Sequence, residues 1–413
     1  MSQLIRNFMK SIKTYFTKAD IKNIPKACFL YYVRFDKSAI LYREAKALKD
    51  KGFEVDIICL KQSTKETPKA FDGLNLYYIQ SRAFSEKRIT EYFLRLFLFY
   101  IKSILVINYL WLIKKYDIIH ITSPPDIIVF AAMIPKLFGA KIILDIHDIG
   151  PELYMRKLNV PENQLIIRIL KYFEKISCRF ADHVITVTDL WKEKLIKRSV
   201  PSSKCSVLLN VPDEEIFKAS AMKKKQIIDS FNLFYHGSLE EHFGVDTLLK
   251  AMPIIKEYVP NAALHIYGGG RLLEEFKILT ENLNMKEYVH FYDGVPFYKL
   301  PEILSDADLG IVPTKNSIFS DEAVSMKSFE YISLGIPIVI SKTKAHSYYY
   351  NSSMVKFFNP KDGRDLALSV AELYKDSEGR KRLACNAQTF IKAFGWSQTK
   401  KTYYQIIDRL MNG

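Results

Sequence analysis

The sequence predicts an α/β protein made of two parallel-sheet domains facing each other across a cleft. Two observations carry this. Short apolar runs of strand length alternate with helical patterns along nearly the whole chain, as βαβ units with a sheet covered on both faces require. The alternation breaks once, at 218–229, a stretch rich in Lys, Ala and Ser with no strong period. With 413 residues, each series has length enough for its own core.

In the first series the runs at 27–33, 55–60, 118–122, 142–146, 184–187 and 206–209 read as strands, with helices at 38–51 and 165–179. In the second, strands are expected at 232–235, 263–267, 290–292, 309–312 and 336–340. Helices are expected there at 246–258, 271–283 and 300–304. The expected organisation is an N-terminal helix (1–23), a first domain (24–217), a linker (218–229), a second domain (230–395) and a last helix within 396–413. Ligands of open parallel sheets bind beyond the carboxyl ends of the strands, so residues there carry the most weight.

Composition narrows the class. Hydrophobic content of 48% and charged content of 25% are those of a globular protein. Five cysteines without a CxxC pair exclude a disulfide framework and a zinc site, and fit a reducing compartment. No early apolar run leads to a cleavage site, so no secretory signal is expected. The net charge of +15 calls for an anionic partner. No nucleic-acid module is present, so nucleic acid is not the expected partner. An anionic membrane surface is, because Leu4, Ile5, Phe8 and Ile12 fall on one helical face of 1–23 and Arg6, Lys10, Lys13 and Lys18 on the other. A helix docked on its own protein, or a transit peptide, would give a similar pattern. The run 92–113 is nearly all apolar, interrupted by Arg95 and Lys102. It reads either as a helix packed on a sheet or as one dipped into a membrane with its basic side chains snorkelling.

The segment 320–340 holds the densest chemistry. Ser325 suits an N-cap, a helix follows from about Met326 to Leu334, Gly335 suits the position past its end, and Pro337 forbids continuation. Lys327 and Glu330, three apart, share a helix face. The helix N-terminus at Met326, with the Lys327 charge beside it, suits phosphate. Glu330 can accept hydrogen bonds from sugar hydroxyls, and Glu322, upstream, can hold a second sugar. The order ribose, diphosphate, sugar is that of a nucleoside-diphosphate sugar. A surface helix with an ordinary charge pair is the alternative.

Glu322-x7-Glu330, followed by Tyr331 and Gly335-x-Pro337, resembles the EX7E signature of family 4 retaining glycosyltransferases, which have the GT-B fold. In order along the chain come Arg43-Glu-Ala-x-Ala-Leu48, Asp117-Ile-Ile-His120, Asp145-Ile-His-Asp-Ile-Gly-Pro-Glu152, Asn210-Val-Pro-Asp213, Tyr235-His236-Gly237-Ser238 and Gly268-Gly269-Gly270. The resemblance runs from about Ala27 to Leu410. It implies His147 and Glu322 as catalytic residues, His147 touching the donor sugar near the reacting carbon and Glu322 holding that sugar rather than attacking it. Donor contacts are implied at His236, Gly237, Ser238, Gly269, Val295 (through backbone at the base), Ser325, Met326, Lys327 and Glu330. Acceptor contacts are implied at Asp148 and Glu152, the latter with a helix-capping role as its alternative. The last helix is implied to cross back onto the first domain.

One departure stands out. Many relatives carry Arg directly after the Gly237 position and Lys five residues later; here those places hold Ser238 and Phe243. The positive groups left for a diphosphate are Lys327, the helix end at Met326, His242 and Arg271. The resemblance implies a retaining hexosyltransferase that needs no metal or other cofactor. It would act on a growing, lipid-linked glycan in capsule, O-antigen or exopolysaccharide assembly, from the inner face of the cell membrane. A non-catalytic glycosyltransferase-like subunit of a glycan-assembly complex is the alternative that Ser238 and Phe243 keep open.

Overall fold

The computed structural model describes residues 24–61, 68–81, 89–218 and 230–412. The amphipathic 1–23 segment and nearly all of the expected linker lie outside the described residues.

The first domain runs β1 (Lys26–Arg34), α1 (Ala39–Asp50), β2 (Glu54–Lys61), β3 (Ala70–Phe71), β4 (Leu74–Ser81), α2 (Ile89–Lys114), β5 (Ile118–Ser123), α3 (Met133–Leu137), β6 (Lys141–Ile146), α4 (Gly150–Leu158), α5 (Leu165–Phe180), β7 (His183–Thr186), α6 (Asp189–Arg198) and β8 (Cys205–Val207). Its sheet has the order β3-β4-β2-β1-β5-β6-β7-β8, parallel except for the β3/β4 pair. The second domain runs β9 (Phe231–His236), α7 (Val245–Tyr258), β10 (Ala262–Tyr267), α8 (Leu273–Asn282), β11 (Val289–Tyr292), α9 (Leu300–Leu304), β12 (Leu309–Val312), α10 (Met326–Ser333), β13 (Ile338–Ser341), α11 (Lys344–Tyr349), β14 (Lys356–Phe358), α12 (Gly363–Lys375) and α13 (Ser377–Phe394). Its sheet order is β11-β10-β9-β12-β13-β14, wholly parallel. A final helix, α14, spans Trp396–Asn412. These are the two parallel-sheet, Rossmann-like domains of the GT-B architecture.

Each sheet reverses its strand order beside its first strand, β1 or β9. That opens a crevice at the carboxyl ends, and Gly237 directly follows β9 there. The strands read as continuous apolar runs because both faces are covered: Leu233, Tyr235, Leu264 and Ile266 pack under α7, and Phe234 packs on the opposite side.

α14 is pinned to the first domain. Tyr403 is fully buried and its hydroxyl lies 2.9 Å from His120 Nδ1 on β5. Tyr404 donates to Ala47 O at 3.0 Å, and Lys51 pairs with Asp408 at 2.8 Å. The Trp396 ring lies 4.6 Å from the guanidinium of the buried Arg43. Trp396→Ala removes a packed indole and uncovers a buried cation. It is expected to lower the unfolding free energy by about 3–5 kcal/mol, read as a fall in the denaturant midpoint.

Candidate active site

In the second domain the site is built by backbone geometry first. Gly237 has φ +117, and a Cβ there would meet Lys327 Cε at 2.6 Å. Gly268 has φ +157, and a Cβ there would meet Gly237 O at 1.9 Å. The β9 and β10 loops therefore lie flush, tied by Gly237 N–H to Tyr267 O (2.8 Å) and Leu239 N–H to Gly269 O (3.0 Å). Over Gly269 the space is open.

α10 is aimed at this pair of loops by Tyr331. Its ring sits where a Cβ on Gly310 of β12 would be, and its hydroxyl donates to Phe234 O at 2.9 Å. Ser325 occupies the N-cap position in extended conformation but makes no side-chain cap, a correction to its expected role. Ser328 N–H donates to Ser325 O at 3.0 Å, whereas among the described residues the N–H groups of Met326 and Lys327 meet no acceptor and keep their donor capacity for a ligand.

Lys327 is buried with its ammonium 4.0 Å from the Phe243 ring centroid and 5.3 Å from that of Tyr235. Among the described residues no carboxylate lies within ion-pair distance of it. Burial lowers its pKa to about 8 against the pull of Glu330. Burial likewise raises Glu330 to about 7 against the pull of Lys327. Glu330 Oε2 stands 3.4 Å from His236 Nε2, and burial with the Lys327 charge drives that imidazole down to about 3, so His236 is neutral. A buried cation with no carboxylate in direct contact among the described residues, beside glycine backbone and a helix N-terminus, forms a cradle for an anion.

In the first domain His147 follows β6. Its Nε2 meets Asp145 Oδ2 at 2.7 Å and its Nδ1 meets Tyr31 OH at 2.9 Å. Burial opposes charge on His147, but Asp145, with Glu44 and Asp148, outweighs it and the pKa is raised. His120 Nε2 reaches the same Oδ2 at 3.3 Å. Glu44, Asp145 and His147 bring ligand atoms within 4.8 Å of one another. Arg43, His120 and Tyr31 engage them in a hydrogen-bonded network. Asp148 carries no such partner, and burial raises it to about 6.

Several sequence expectations change here. His242 is no cation: its Nδ1 takes a contact from Arg156 at 2.9 Å, and burial together with that guanidinium lowers it to about 3. Glu152 offers no open acceptor contact, because Arg198 grips it at 2.7 and 2.9 Å; nor does it cap α4. Glu322 is held by Lys194 at 2.6 Å and Lys344 at 2.9 Å, which keep its carboxyl below the usual range although burial pushes the other way. Glu322 thus faces α6 of the first domain while Glu330 faces β9. The Ser238 side chain is exposed and its carbonyl accepts from Tyr235 OH. Arg271 is exposed and lies 3.7 Å from Glu240. Val295 sits in the loop after β11, where Lys37 of the first domain donates to Gly294 O at 2.7 Å.

Arg156, Lys194 and Asp145 were not singled out by the sequence. For Asp145 a signal existed: two residues before His147 on a strand, it shares that side chain's face. Arg156 and Lys194 lie on first-domain helices and meet the second domain only in the fold.

Residues 38–215 match the family model described as Glycosyltransferase Family 4, and residues 213–390 match the one described as Glycosyl transferases group 1. Each match covers a little under half of the chain and the two together run from residue 38 to 390; with the two-sheet architecture they support a GT-B glycosyltransferase of the family 4 type. It is 27% identical over 249 residues to a chitobiosyldiphosphodolichol beta-mannosyltransferase of Debaryomyces hansenii, covering 54% of this chain and 52% of that protein. It is 31% identical over 102 residues to a GDP-mannose-dependent alpha-(1-6)-phosphatidylinositol monomannoside mannosyltransferase of Mycolicibacterium smegmatis, covering 24% of this chain and 27% of the relative. The match thus spans about half of the first relative's length and about a quarter of the second's. The fold is shared with sucrose-phosphate synthase from Thermosynechococcus elongatus, at a TM-score of 0.75 and 16% identity, over 94% of this chain and 99% of that one.

Gly268→Ala drives a Cβ into the Gly237 carbonyl. It is expected to leave a folded protein, destabilised by about 1–3 kcal/mol, that no longer binds pyrophosphate in calorimetry. Pyrophosphate itself should stabilise the charged form of Lys327. Its affinity is expected to fall as pH rises through about 8, with proton uptake on binding, and Lys327→Met should abolish both the affinity and the pH dependence.

Proposed function

We propose that this chain is a glycosyltransferase that moves a sugar from a nucleoside-diphosphate sugar to a hydroxyl of a lipid-linked glycan. The observation that carries the reading is the buried Lys327 ammonium, with no carboxylate in ion-pair contact among the described residues, set against Gly237 at the open end of α10. A diphosphate supplies the missing negative charge, and the free N–H groups at Met326 add to it. As the bond to the leaving diphosphate breaks, charge grows on the phosphate oxygens where these donors already point, which lowers the barrier without a metal.

Glu330 lies one helical turn from Lys327 and accepts from hydroxyls of the nucleoside ribose. Gly269 and the backbone near Val295 border the base. His147, oriented by Asp145 at Nε2, gives up the Tyr31 hydroxyl at Nδ1 and donates from that nitrogen to the transferred sugar. Glu322 exchanges one of its lysines for hydroxyls of that sugar. Asp148 stands beside His147 at the acceptor side. Retention of configuration rests on the Glu322-x7-Glu330 spacing, with same-face attack and no protein nucleophile. The two named relatives form a beta and an alpha-(1-6) linkage, so the product anomer is to be measured directly.

The lipid-linked acceptor is supported by the dolichol and phosphatidylinositol acceptors in those relatives' names. A role in capsule, O-antigen or exopolysaccharide assembly, at the inner face of the cell membrane, follows from that reading together with the basic amphipathic 1–23 segment. The non-catalytic reading is favoured by Phe243, whose ring faces Lys327 where relatives place a second cation.

One panel separates the two. GDP-, UDP-, ADP- and dTDP-sugars are tested for thermal stabilisation, where a ligand at ~100 times its dissociation constant adds ~2.7 kcal/mol. A shift with one base, lost in Glu330→Ala, and donor turnover lost in His147→Ala and Glu322→Gln, are expected. No shift with any donor, in the presence or absence of a glycolipid extract, defeats the enzymatic reading.

A further inference from the structure

The first domain buries one side of α2 and leaves the other bare. Leu96, Phe99, Ile107, Leu110 and Trp111 are buried on the sheet, whereas Leu94, Phe97, Leu98, Ile101, Leu105 and Leu112 face outward. The helix has 26 residues, and a third of its most apolar stretch is buried. Both sequence readings of this run therefore have a share: it is packed on a sheet, and it offers an apolar face.

The bare face does not stop at α2. On α3 and its end, Ile134, Leu137 and Phe138 are exposed, Leu137 by 77%, and Phe138 lies 5.4 Å from Trp111. On α5, Leu165, Ile166, Ile169 and Tyr172 are exposed. All three helices pack their inner sides on the 3-10 segment Asp126–Ala132, so their outer sides lie on one side of the sheet. Contiguous apolar surface of this extent marks an interaction site.

The exposed charges along α2 and α5 are mainly basic. Lys102 on α2 and Arg168, Lys175 and Arg179 on α5 are exposed. Of the acidic residues on these helices, Glu91 lies at the very start of α2, and Glu174 is buried and paired with Arg198 at 2.6 Å. A second copy of this chain on the same face would set these cations against one another. A bilayer rich in anionic lipid would meet both the apolar and the basic groups.

The face also has a direction. At the start of α2, Phe93 stacks on Tyr154 at 6.0 Å and Lys157 lies 5.2 Å over the Tyr92 ring. The first turns of α5 bury Ile167 against Tyr154 and Met155. Tyr154, Met155 and Lys157 belong to α4, which also carries Glu152 and Arg156. Both apolar helices thus end at the helix that borders the cleft.

We propose that α2, α3 and α5 together seat the first domain on an anionic bilayer, with α2 lying along the interface rather than crossing it, and that the acceptor headgroup enters the cleft past α4. The second clause rests on the glycosyltransferase reading; the seating does not.

The test uses the full chain with Cys385→Ser, labelled with an environment-sensitive fluorophore at Leu98→Cys or, as a control on the second domain, at Ile278→Cys. Vesicles are phosphatidylcholine alone or an equal mixture with phosphatidylglycerol. A blue shift at position 98 with the mixed vesicles, and none at 278, is expected. Leu98→Asp combined with Leu105→Asp should weaken vesicle binding at least about tenfold while circular dichroism and pyrophosphate affinity stay unchanged. No shift at 98, or vesicle affinity unchanged in the double variant, overturns the proposal. So does a wild-type dimer that the double variant breaks without loss of vesicle affinity, which assigns the face to a second copy. If seating holds but no sugar is transferred to any acceptor, the enzymatic reading fails and the docking face stands.

Discussion

One carboxylate oxygen organises the first domain's side of the cleft. Asp145 Oδ2, fully inside the protein, receives His147 Nε2 and His120 Nε2. His120 in turn reaches Tyr403 of the last helix, and Glu44 beside it holds Arg43 at 3.3 Å. A buried carboxylate is tolerated only when its charge is matched, and here the matching groups come from β5, the β6 end, α1 and α14. The orientation of His147 is therefore set by β6 through Asp145 and by β1 through Tyr31, with β5, α1 and α14 supporting the network behind Asp145. Site geometry and fold stability share the same bonds.

The second domain solves a different problem. Its loops hold few cations of their own, since Ser238 and Phe243 stand where charges are common among relatives. Beside its own Lys327 and Lys344, cations reach its loops from across the cleft: Arg156 against His242, Lys194 against Glu322, and Lys37 against Gly294 O. Asp189 and Tyr349 add a hydrogen-bonded pair between the domains at 2.9 Å. Closure and the electrostatics of the cleft are thus one set of interactions, and a ligand that draws Lys194 or Arg156 toward itself changes both.

Much of this was legible in the residues. The strands at 27–33, 118–122 and 142–146 are mostly apolar, broken by His120, Thr122 and Asp145, and they are the central strands of the first sheet. Gly237 and Gly268 were readable because only glycine permits such close backbone approach at positive φ. What escaped was short or amphipathic in the wrong way. β3 and β4 carry Asn, Tyr and Gln on a partly covered edge and show no buried-strand run. Lys327 and Glu330 could be placed on one helix face from spacing, but nothing local says that both are buried and that their pKa values converge near neutrality. Burial also reverses His242, which reads as a cation and is held neutral by Arg156. Partners such as Arg156 and Lys344 come from elements far away in sequence, where pattern carries no information.

The last helix sets an order on how the protein comes into being. Its 17 residues follow both sheets in the sequence, yet Tyr403 and Trp396 close the polar and aromatic lid over Arg43 and His120 of the first domain. Until they arrive, His120 keeps Asp145 at Nε2 but has no Tyr403 hydroxyl at Nδ1. Completion of the first domain thus waits for a segment made after the second, and a polypeptide cut short before Trp396 lacks the outermost member of the network behind His147.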